Sequence, residues 1–316
     1  MRAVVVDRFG GPDVLTVRDI DKPEPGADEV LVRVIAAGTN PVDAELRAGG
    51  EWAGIELPAV IGYDASGVVE RVGPCVRDVR VGDEVFYTPE IFGNRFGSYA
   101  EYEPVPAALV APKPASLSHV EAAAVPLAGG TAWEAIVRRL AVRPGETVLI
   151  HGGAGGVGSF AVQFAKVSGA FVLATAGPAN QERLRELGVD VPLDYQHDDV
   201  IAAALEASGG AGVDAVFDTV GGDLVERSQR ATRDFGRLAS ILAPSGDFSH
   251  SYEHNQTIHG VWLNRERRRL LEMTPVFERG QVRVAIERVL PLEQVAEAHR
   301  RLDSGHGWGK IVLQVA

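Results

Sequence analysis

The stretch Leu149-Ile150-His151-Gly152-Gly153-Ala154-Gly155-Gly156-Val157-Gly158 constrains this chain more than any other, because an apolar strand passes through a glycine turn straight into a helix. Gly153, Gly155 and Gly158 keep the G-x-G-x-x-G spacing. In that pattern the glycines supply a tight turn, close backbone approach to a pyrophosphate, and close packing of helix on strand. The helix opening at Gly156 and Val157 offers free N–H groups and the positive end of its dipole to an anion. Glycine turns also merely join elements. Here Thr147-Val148-Leu149-Ile150 before the turn and the helical segment 159–166 after it supply both flanks that a dinucleotide seat requires.

The organisation on either side agrees with that seat. Residues 1 to about 110 carry short alternating runs at 2–6, 29–37, 67–72, 84–87 and 99–105, separated by Gly, Pro and Asp, the pattern of a mostly antiparallel β unit. From Ser118 the character changes to alternating helices (121–124, 129–140) and strands near 147–151, 171–175, 214–219 and 237–242. Such alternation predicts an α/β fold with a parallel, doubly wound sheet. Helical segments through 270–278 and 292–302 follow, then the strand Lys310-Ile311-Val312-Leu313-Gln314-Val315. That strand has no place in the nucleotide sheet and is expected to return to the first domain. At 316 residues, two domains are the natural division.

Composition removes several classes of function. A formal charge of −12 repels nucleic acid and anionic membrane over much of the surface. The basic run Arg265-Glu266-Arg267-Arg268-Arg269 reads as the solvated face of a helix. No apolar run is long enough to span a bilayer and Met1-Arg2-Ala3-Val4-Val5-Val6-Asp7 reads as a strand and not a signal peptide, so a cytoplasmic location is expected. The single cysteine, Cys75, allows neither an intrachain disulfide nor a cysteine-rich zinc site. His250, His254 and His259 lack companion acids or cysteines at ligand spacing, and no metal site is expected.

An acid at the end of the second nucleotide strand would accept the ribose hydroxyls of NAD. Here Ala170-Phe171-Val172-Leu173-Ala174-Thr175 runs into Ala176-Gly177-Pro178-Ala179-Asn180, with no carboxylate to repel a 2′-phosphate. NADPH is therefore the expected cofactor. Thr175, Asn180, Arg183 and Tyr195 are its candidate phosphate neighbours, Arg183 being as readable as an exposed helix residue.

With these features in place the chain resembles the zinc-independent quinone oxidoreductase branch of the medium-chain dehydrogenase/reductase superfamily over essentially its whole length. The matching segments include Ala37-Gly38-Thr39-Asn40-Pro41-Val42-Asp43, Pro58-Ala59-Val60-Ile61-Gly62-Tyr63-Asp64-Ala65-Ser66-Gly67, Gly97-Ser98-Tyr99-Ala100-Glu101-Tyr102, Thr131-Ala132-Trp133-Glu134, Phe217-Asp218-Thr219-Val220-Gly221-Gly222 and Gly309-Lys310-Ile311-Val312. The resemblance implies a GroES-like β domain at 1–117 and 260–316, a Rossmann domain at 118–259, and an active site in the cleft between them. Zinc-dependent relatives carry cysteine where Asn40 stands and a histidine–glutamate pair where Tyr63-Asp64 stands.

By family position, Asn40 and Thr131 are expected beside the nicotinamide and the reacting carbonyl, with Val220, Gly221, Leu242 and Lys310 bordering the cofactor. Asn40 is otherwise a turn residue before Pro41. Tyr63 is either a proton donor or a packed ring, and the tyrosine of the thioester reductases is absent, its place holding Gly50-Glu51-Trp52. Without a Lewis acid, an already electron-poor acceptor is favoured: a quinone, or an alkene conjugated to a carbonyl. The expected activity is thus direct, zinc-free hydride transfer from NADPH. An enal or enone reductase with little quinone activity and a non-catalytic, crystallin-like NADPH-binding protein are the alternatives. Trp52, Ile55, Phe92, Phe96 and Trp262 either line the substrate pocket or belong to domain cores. A homodimer is implied by resemblance alone, with Val261-Trp262-Leu263 either at an edge-strand contact or in a buried strand.

Overall fold

The computed structural model describes residues 1–316. Its strands in chain order are β1 (Arg2–Val6), β2 (Leu15–Asp19), β3 (Glu29–Gly38), β4 (Ala59–Val60), β5 (Ala65–Val72), β6 (Glu84–Tyr87), β7 (Tyr102–Pro106) and β8 (Ala111–Pro112). They continue as β9 (Thr147–His151), β10 (Phe171–Ala176), β11 (Val191–Asp194), β12 (Val213–Asp218), β13 (Thr232–Ser240), β14 (Thr257–Gly260), β15 (Ile286–Pro291) and β16 (Lys310–Gln314). The chain divides into two compact units, Met1–Ala128 with Asn264–Ala316, and Gly129–Leu263.

In the first unit β1 lies between β2 and β4, antiparallel to both. A second sheet has the order β15-β16-β3-β5-β6-β8, with β7 also pairing with β3. The ten-residue β3, EVLVRVIAAG, is buried along nearly its whole length because neighbours cover both faces. β16 runs antiparallel to β3, Val312 opposite Gly38, and parallel to β15, so the last strand does return to the first domain. Apolar residues of β1, β3, β5, β6 and β16 form one core with Leu46, Tyr63 and Tyr99.

The first boundary falls about ten residues later than the composition change at Ser118 implied. The helix His119–Ala123 is started by a capping box between Ser118 and Glu121. Its apolar face, Ala123 and Ala124, then packs on Ala36 and Val312 of the first unit's sheet.

The second unit is a six-stranded parallel sheet, order β11-β10-β9-β12-β13-β14. Strand order reverses between β9 and β12, and in doubly wound sheets ligands bind outside the carboxyl ends of the strands at that point. β9, buried at every position after Thr147, is the central apolar strand expected before the glycine turn. The helix expected at 129–140 is observed as an α-helix, Pro126–Trp133, that widens into a π-helical turn, Glu134–Arg139. Leu140 N–H reaches Ala135 O at 2.8 Å.

The arginine run at 265–269 is not a solvated face. Arg269 is buried and bonds Asn264 O and Glu266, Arg267 pairs with Asp78, and only Arg268 stands fully out, beside Glu272. β14 ends at Gly260, and in the segment after it Val261 and Leu263 are buried while Trp262 is half-exposed. No helix is long and apolar enough to cross a membrane.

Candidate functional site

In the second unit the glycines of the turn differ in what surrounds them. Gly152 takes the left-handed conformation (φ +74°), which a side chain disfavours. A methyl on Gly153 would lie 2.7 Å from Ala174 Cβ, and one on Gly158 only 2.1 Å from Gly152 O. These two glycines serve close packing of turn, strand and helix. Gly155 is different, since a methyl there meets nothing nearer than Gly152 O at 3.4 Å. It caps the helix Gly156–Val167 with no side chain to satisfy the first-turn N–H groups, while Gly156 and Val157 remain partly exposed. A backbone open on one side, at the N-terminus of a twelve-residue helix, fits a pyrophosphate.

The walls of this turn come from neighbouring strand ends. Thr219 Oγ1 donates to His151 O at 2.7 Å, and Gly152 is tucked against Thr219 and Val220. Val220 and Leu242, both about half-exposed (55% and 47%), lie either side of Gly221, where a methyl would come within 2.7 Å of Leu242. Val220, Gly221 and Leu242, expected to border the cofactor, thus form an apolar lip beside the glycine turn. Buried Asp218 holds the lip in place. Its Oδ1 accepts from Val220 N (2.9 Å) and Gly221 N (3.0 Å), and its Oδ2 accepts from Ser240 Oγ (2.9 Å), which in turn accepts from Leu242 N (3.2 Å). Asp218 has no part in the sequence reading beyond its motif. A carboxylate at the carboxyl end of a parallel strand is the signal that marks it.

The expected phosphate neighbours separate. Thr175 is buried and its Oγ1 accepts from Gly152 N at 3.1 Å, so it shapes the turn from behind. Tyr195 is exposed with its hydroxyl 3.6 Å from the place a methyl on Gly177 would occupy. Asn180 precedes the helix Gln181–Glu186, on which Arg183 pairs with Glu186 at 3.2 Å. Between them Gln181 Nε2 donates to Ala176 O (2.9 Å) and Leu193 O (3.1 Å), tying the ends of β10 and β11 together. The carboxylate nearest in register, Asp194 opposite Ala176, is occupied by Gln196 N (3.0 Å) and His197 Nδ1 (2.8 Å), and the His197 bond holds it below the usual carboxylate range. His151 packs its Nε2 against Ser228 Oγ at 2.8 Å, and burial pushes its pKa down to about 4, so it stays neutral.

In the first unit the Asn40 expectation leads to a buried polar cluster. Asn40 opens the helix Pro41–Gly49, and its backbone N–H donates to Asp43 Oδ2 at 2.8 Å in a capping box. Its Nδ2 donates to Asp64 Oδ2 at 2.9 Å, and its Oδ1 accepts from the ammonium of Lys310. Lys310, expected against the cofactor, is buried and also donates to Thr39 O at 2.7 Å and lies 3.4 Å from Asp64 Oδ2. The other oxygen of Asp64 accepts from Leu127 N at 2.7 Å. Burial pushes Asp64 up to about 6, against the opposing pull of Lys310 and Asn40. Asp43, which also accepts from Tyr99 OH at 2.7 Å, is pushed up to about 7 by burial. Asp43, Asp64 and Tyr99 lie in motifs legible in the sequence, but their convergence on Asn40 is not.

Tyr63 is fully buried and its hydroxyl has no hydrogen-bond partner. Burial, then the charges of Asp43 and Glu103, push its pKa upward, which makes it a weaker acid. These are the properties of a packed ring more than of a poised donor. Thr131 sits buried on the helix Pro126–Trp133, four residues beyond Leu127. Trp52 and Phe92, both half-exposed, meet edge to face at 6.0 Å, and the two loops that carry them are joined by Gly93 N to Ala53 O at 2.9 Å. Ile55 is core, packed on Gly50, whereas Phe96 and, in the second unit, Trp262 are exposed.

Residues 26–115 match the family described as alcohol dehydrogenase GroES-like domain, and residues 187–313 match that described as zinc-binding dehydrogenase. A chloroplastic NADPH-dependent alkenal/one oxidoreductase of Arabidopsis thaliana is 35% identical over 326 residues, which cover 99% of this chain and 79% of that protein. A quinone oxidoreductase of Pseudomonas aeruginosa is 32% identical over 319 residues, covering 96% and 97%. Among solved structures, one described as an NAD-dependent alcohol dehydrogenase is 40% identical with a TM-score of 0.94 and covers 100% of both chains.

Proposed function

We propose, from the premise that this chain belongs to the medium-chain dehydrogenase/reductase superfamily in its quinone oxidoreductase-like branch, that it reduces a quinone or another electron-poor conjugated carbonyl with NADPH by direct hydride transfer. The observation that carries the zinc-free part is the bonding of Asn40 and Asp64. Where zinc-dependent relatives present a thiolate and an imidazole, this chain has an amide and a phenol. Its one carboxylate there is already occupied by Lys310, Asn40 and Leu127 N–H. Such a set offers a poor donor arrangement to Zn²⁺, although one matched family is described as zinc-binding.

When bound, NADPH supplies the hydride from C4 of its nicotinamide. The open backbone at Gly155, with the N–H groups of Gly156, Val157 and Gly158, would hold the pyrophosphate, and Val220 and Leu242 would offer it an apolar border. Thr175 and Gln181 shape the strand ends that receive the adenosine, with Asn180, Arg183 and Tyr195 toward its 2′-phosphate. Asn40 hydrogen-bonds the acceptor oxygen, and Thr131 orients the carboxamide or the acceptor. Asn40 would stabilise the electron pair that reduction leaves on that oxygen, and water would supply the balancing proton. The half-exposed pair Trp52 and Phe92, with Phe96, suits an apolar, ring-bearing acceptor.

NADPH is preferred over NADH in this reading because no free carboxylate stands at the end of β10 and Asp194 on β11 is already paired. A homodimer joined at the β14 edge belongs to the same reading, and sedimentation velocity tests it. The activity is tested by NADPH and NADH oxidation with a benzoquinone, a naphthoquinone, an enal and a simple ketone, with and without chelator. Turnover of quinone or enal, faster with NADPH and indifferent to chelator, supports the proposal and chooses between the two acceptors. Turnover of the ketone alone, or loss on chelation, overturns it. Tight NADPH binding with no turnover favours the non-catalytic alternative.

A further inference from the structure

We infer that Lys310 and Asp64 are positioning residues that hold the side-chain amide of Asn40 in a single orientation, presenting its second Nδ2 hydrogen to the oxygen of a carbonyl-bearing acceptor; this rests on the oxidoreductase reading above. The two ends of an amide are nearly equal in size, so shape alone does not decide which way it points. Charge decides it here. The ammonium of Lys310 sits at Oδ1 and the carboxylate of Asp64 at Nδ2, 2.9 Å away. The flipped amide would set NH2 against an ammonium and oxygen against a carboxylate, with all three side chains 4% exposed or less. Both contacts would then be repulsive in a site with little water to screen them.

Neither charge is able to turn away. Lys310 is anchored by Thr39 O at 2.7 Å, and Thr39 is itself held by two bonds of 3.0 Å to Ile311 O. Asp64 is anchored through its other oxygen by Leu127 N at 2.7 Å. The Asn40 backbone is fixed by Asp43 at 2.8 Å, and Asp43 by Tyr99 at 2.7 Å.

An amide has two N–H donors, and Asp64 takes one of them. The other remains for the acceptor. A cation behind Oδ1 draws electron density toward that end and makes the N–H a stronger donor, since hydrogen bonds in series polarise one another. The lysine therefore acts on the acceptor through the amide without touching it. The bond strengthens as charge builds on the oxygen, so it favours the transition state over the bound ketone.

The test compares the wild type with Lys310→Met and with Lys310→Met/Asp64→Asn. The double variant replaces a buried ion pair by neutral groups of similar size, an exchange that proteins often tolerate. Four quantities are read: melting temperature, NADPH affinity, kcat with quinone and enal, and the infrared C=O stretch of an isotope-labelled enone in the dead-end complex with NADP+. The double variant is expected to keep a cooperative melt below that of the wild type, since an amide at 64 sets NH2 against Leu127 N–H or Asn40 Nδ2, to bind NADPH within about twofold, and to lose at least about tenfold in kcat. The C=O band, displaced to lower wavenumber in the wild type, returns toward its solution position in the double variant and in Asn40→Ala. A double variant with wild-type kcat and an unmoved band overturns the inference. Should it fail to fold, Lys310→Met alone, which leaves no donor at Asn40 Oδ1, gives the same four readings. A wild type that binds NADPH but reduces no acceptor sinks the functional reading, and the infrared band still decides the orientation of Asn40.

Discussion

Alanine in place of Gly155 separates a turn that binds phosphate from a turn that merely connects. Gly155 has φ −73° and ψ 178°, extended backbone that any residue adopts. Its new methyl would find Gly152 O at 3.4 Å and nothing closer. Two small effects then oppose each other. Alanine restricts the unfolded chain, which stabilises by about 0.4–1 kcal/mol, while it is a poorer helix cap than glycine by a comparable amount. Net stability should stay within about 1 kcal/mol of the wild type. The methyl would nevertheless fill the side of the turn from which a pyrophosphate approaches. NADPH affinity should fall at least about tenfold, or ~1.4 kcal/mol. Gly158→Ala is the contrast, because its methyl would lie 2.1 Å from Gly152 O and 2.8 Å from Gly153 Cα, backbone that has no room to move. That variant should lose on the order of 1–3 kcal/mol of stability, seen as a lower melting temperature. Thermal melts and fluorescence titration with NADPH measure both. Wild-type NADPH affinity in Gly155→Ala would refute the assignment of this turn to the pyrophosphate.

Three further outcomes follow from the buried polar groups. Tyr63→Phe removes a hydroxyl that bonds nothing, so its melting temperature should match or exceed that of the wild type and kcat should stay within about threefold; a loss beyond about a hundredfold would instead make Tyr63 the proton donor. Asp43 holds its proton to about pH 7 when folded but only to its ordinary value near 3.8 when unfolded. Its contribution to stability is therefore full below about pH 4 and lost as the pH rises to 7, on the order of 4 kcal/mol. Asp43→Asn still accepts from Asn40 and Tyr99, and subtracting its denaturation free energies from those of the wild type between pH 4 and 8 should reveal this slope; parallel curves would refute it. Asp218→Asn sets amide hydrogens beside the Gly221 N–H and leaves the Ser240 hydroxyl hydrogen without its acceptor, and should cost about 1–3 kcal/mol while weakening NADPH binding. Unchanged melting and affinity would show that the lip does not depend on that carboxylate.

What the sequence makes legible is what local spacing determines. β1 and β6 lie at 2–6 and 84–87 as their alternation indicates, and β9, the turn and its helix follow from one contiguous motif. The terminal strand is legible because it is apolar yet has no partner in the nucleotide sheet. The clamp on Asn40 is not legible. Its oxygen is met by a lysine 270 residues away and its nitrogen by a carboxylate 24 residues away, and no periodicity encodes such a meeting. The arginine run misleads for a related reason. Composition counts its charges as solvated, whereas the fold brings Asp78 to Arg267 and backbone Asn264 O to Arg269. Thr175 and Ile55 show the same limit at single positions, since both lie near the right elements but point into packing.

The place of β16 beside β3 sets an order of assembly. The second unit is one contiguous segment, residues 129–263, and its sheet is able to close as soon as that segment has left the ribosome. The first unit is interrupted. β7 covers the Glu29–Arg33 part of one edge of β3, but the Ala36–Gly38 end of that edge waits for residues 310–314, made long after the rest of the sheet. The ammonium that directs Asn40 rides on that same late strand, so nascent chains halted before Lys310 carry a finished nucleotide fold and an undirected amide. Folding of the nucleotide unit and completion of the Asn40 cluster are therefore separable events, set by where β16 falls in the chain.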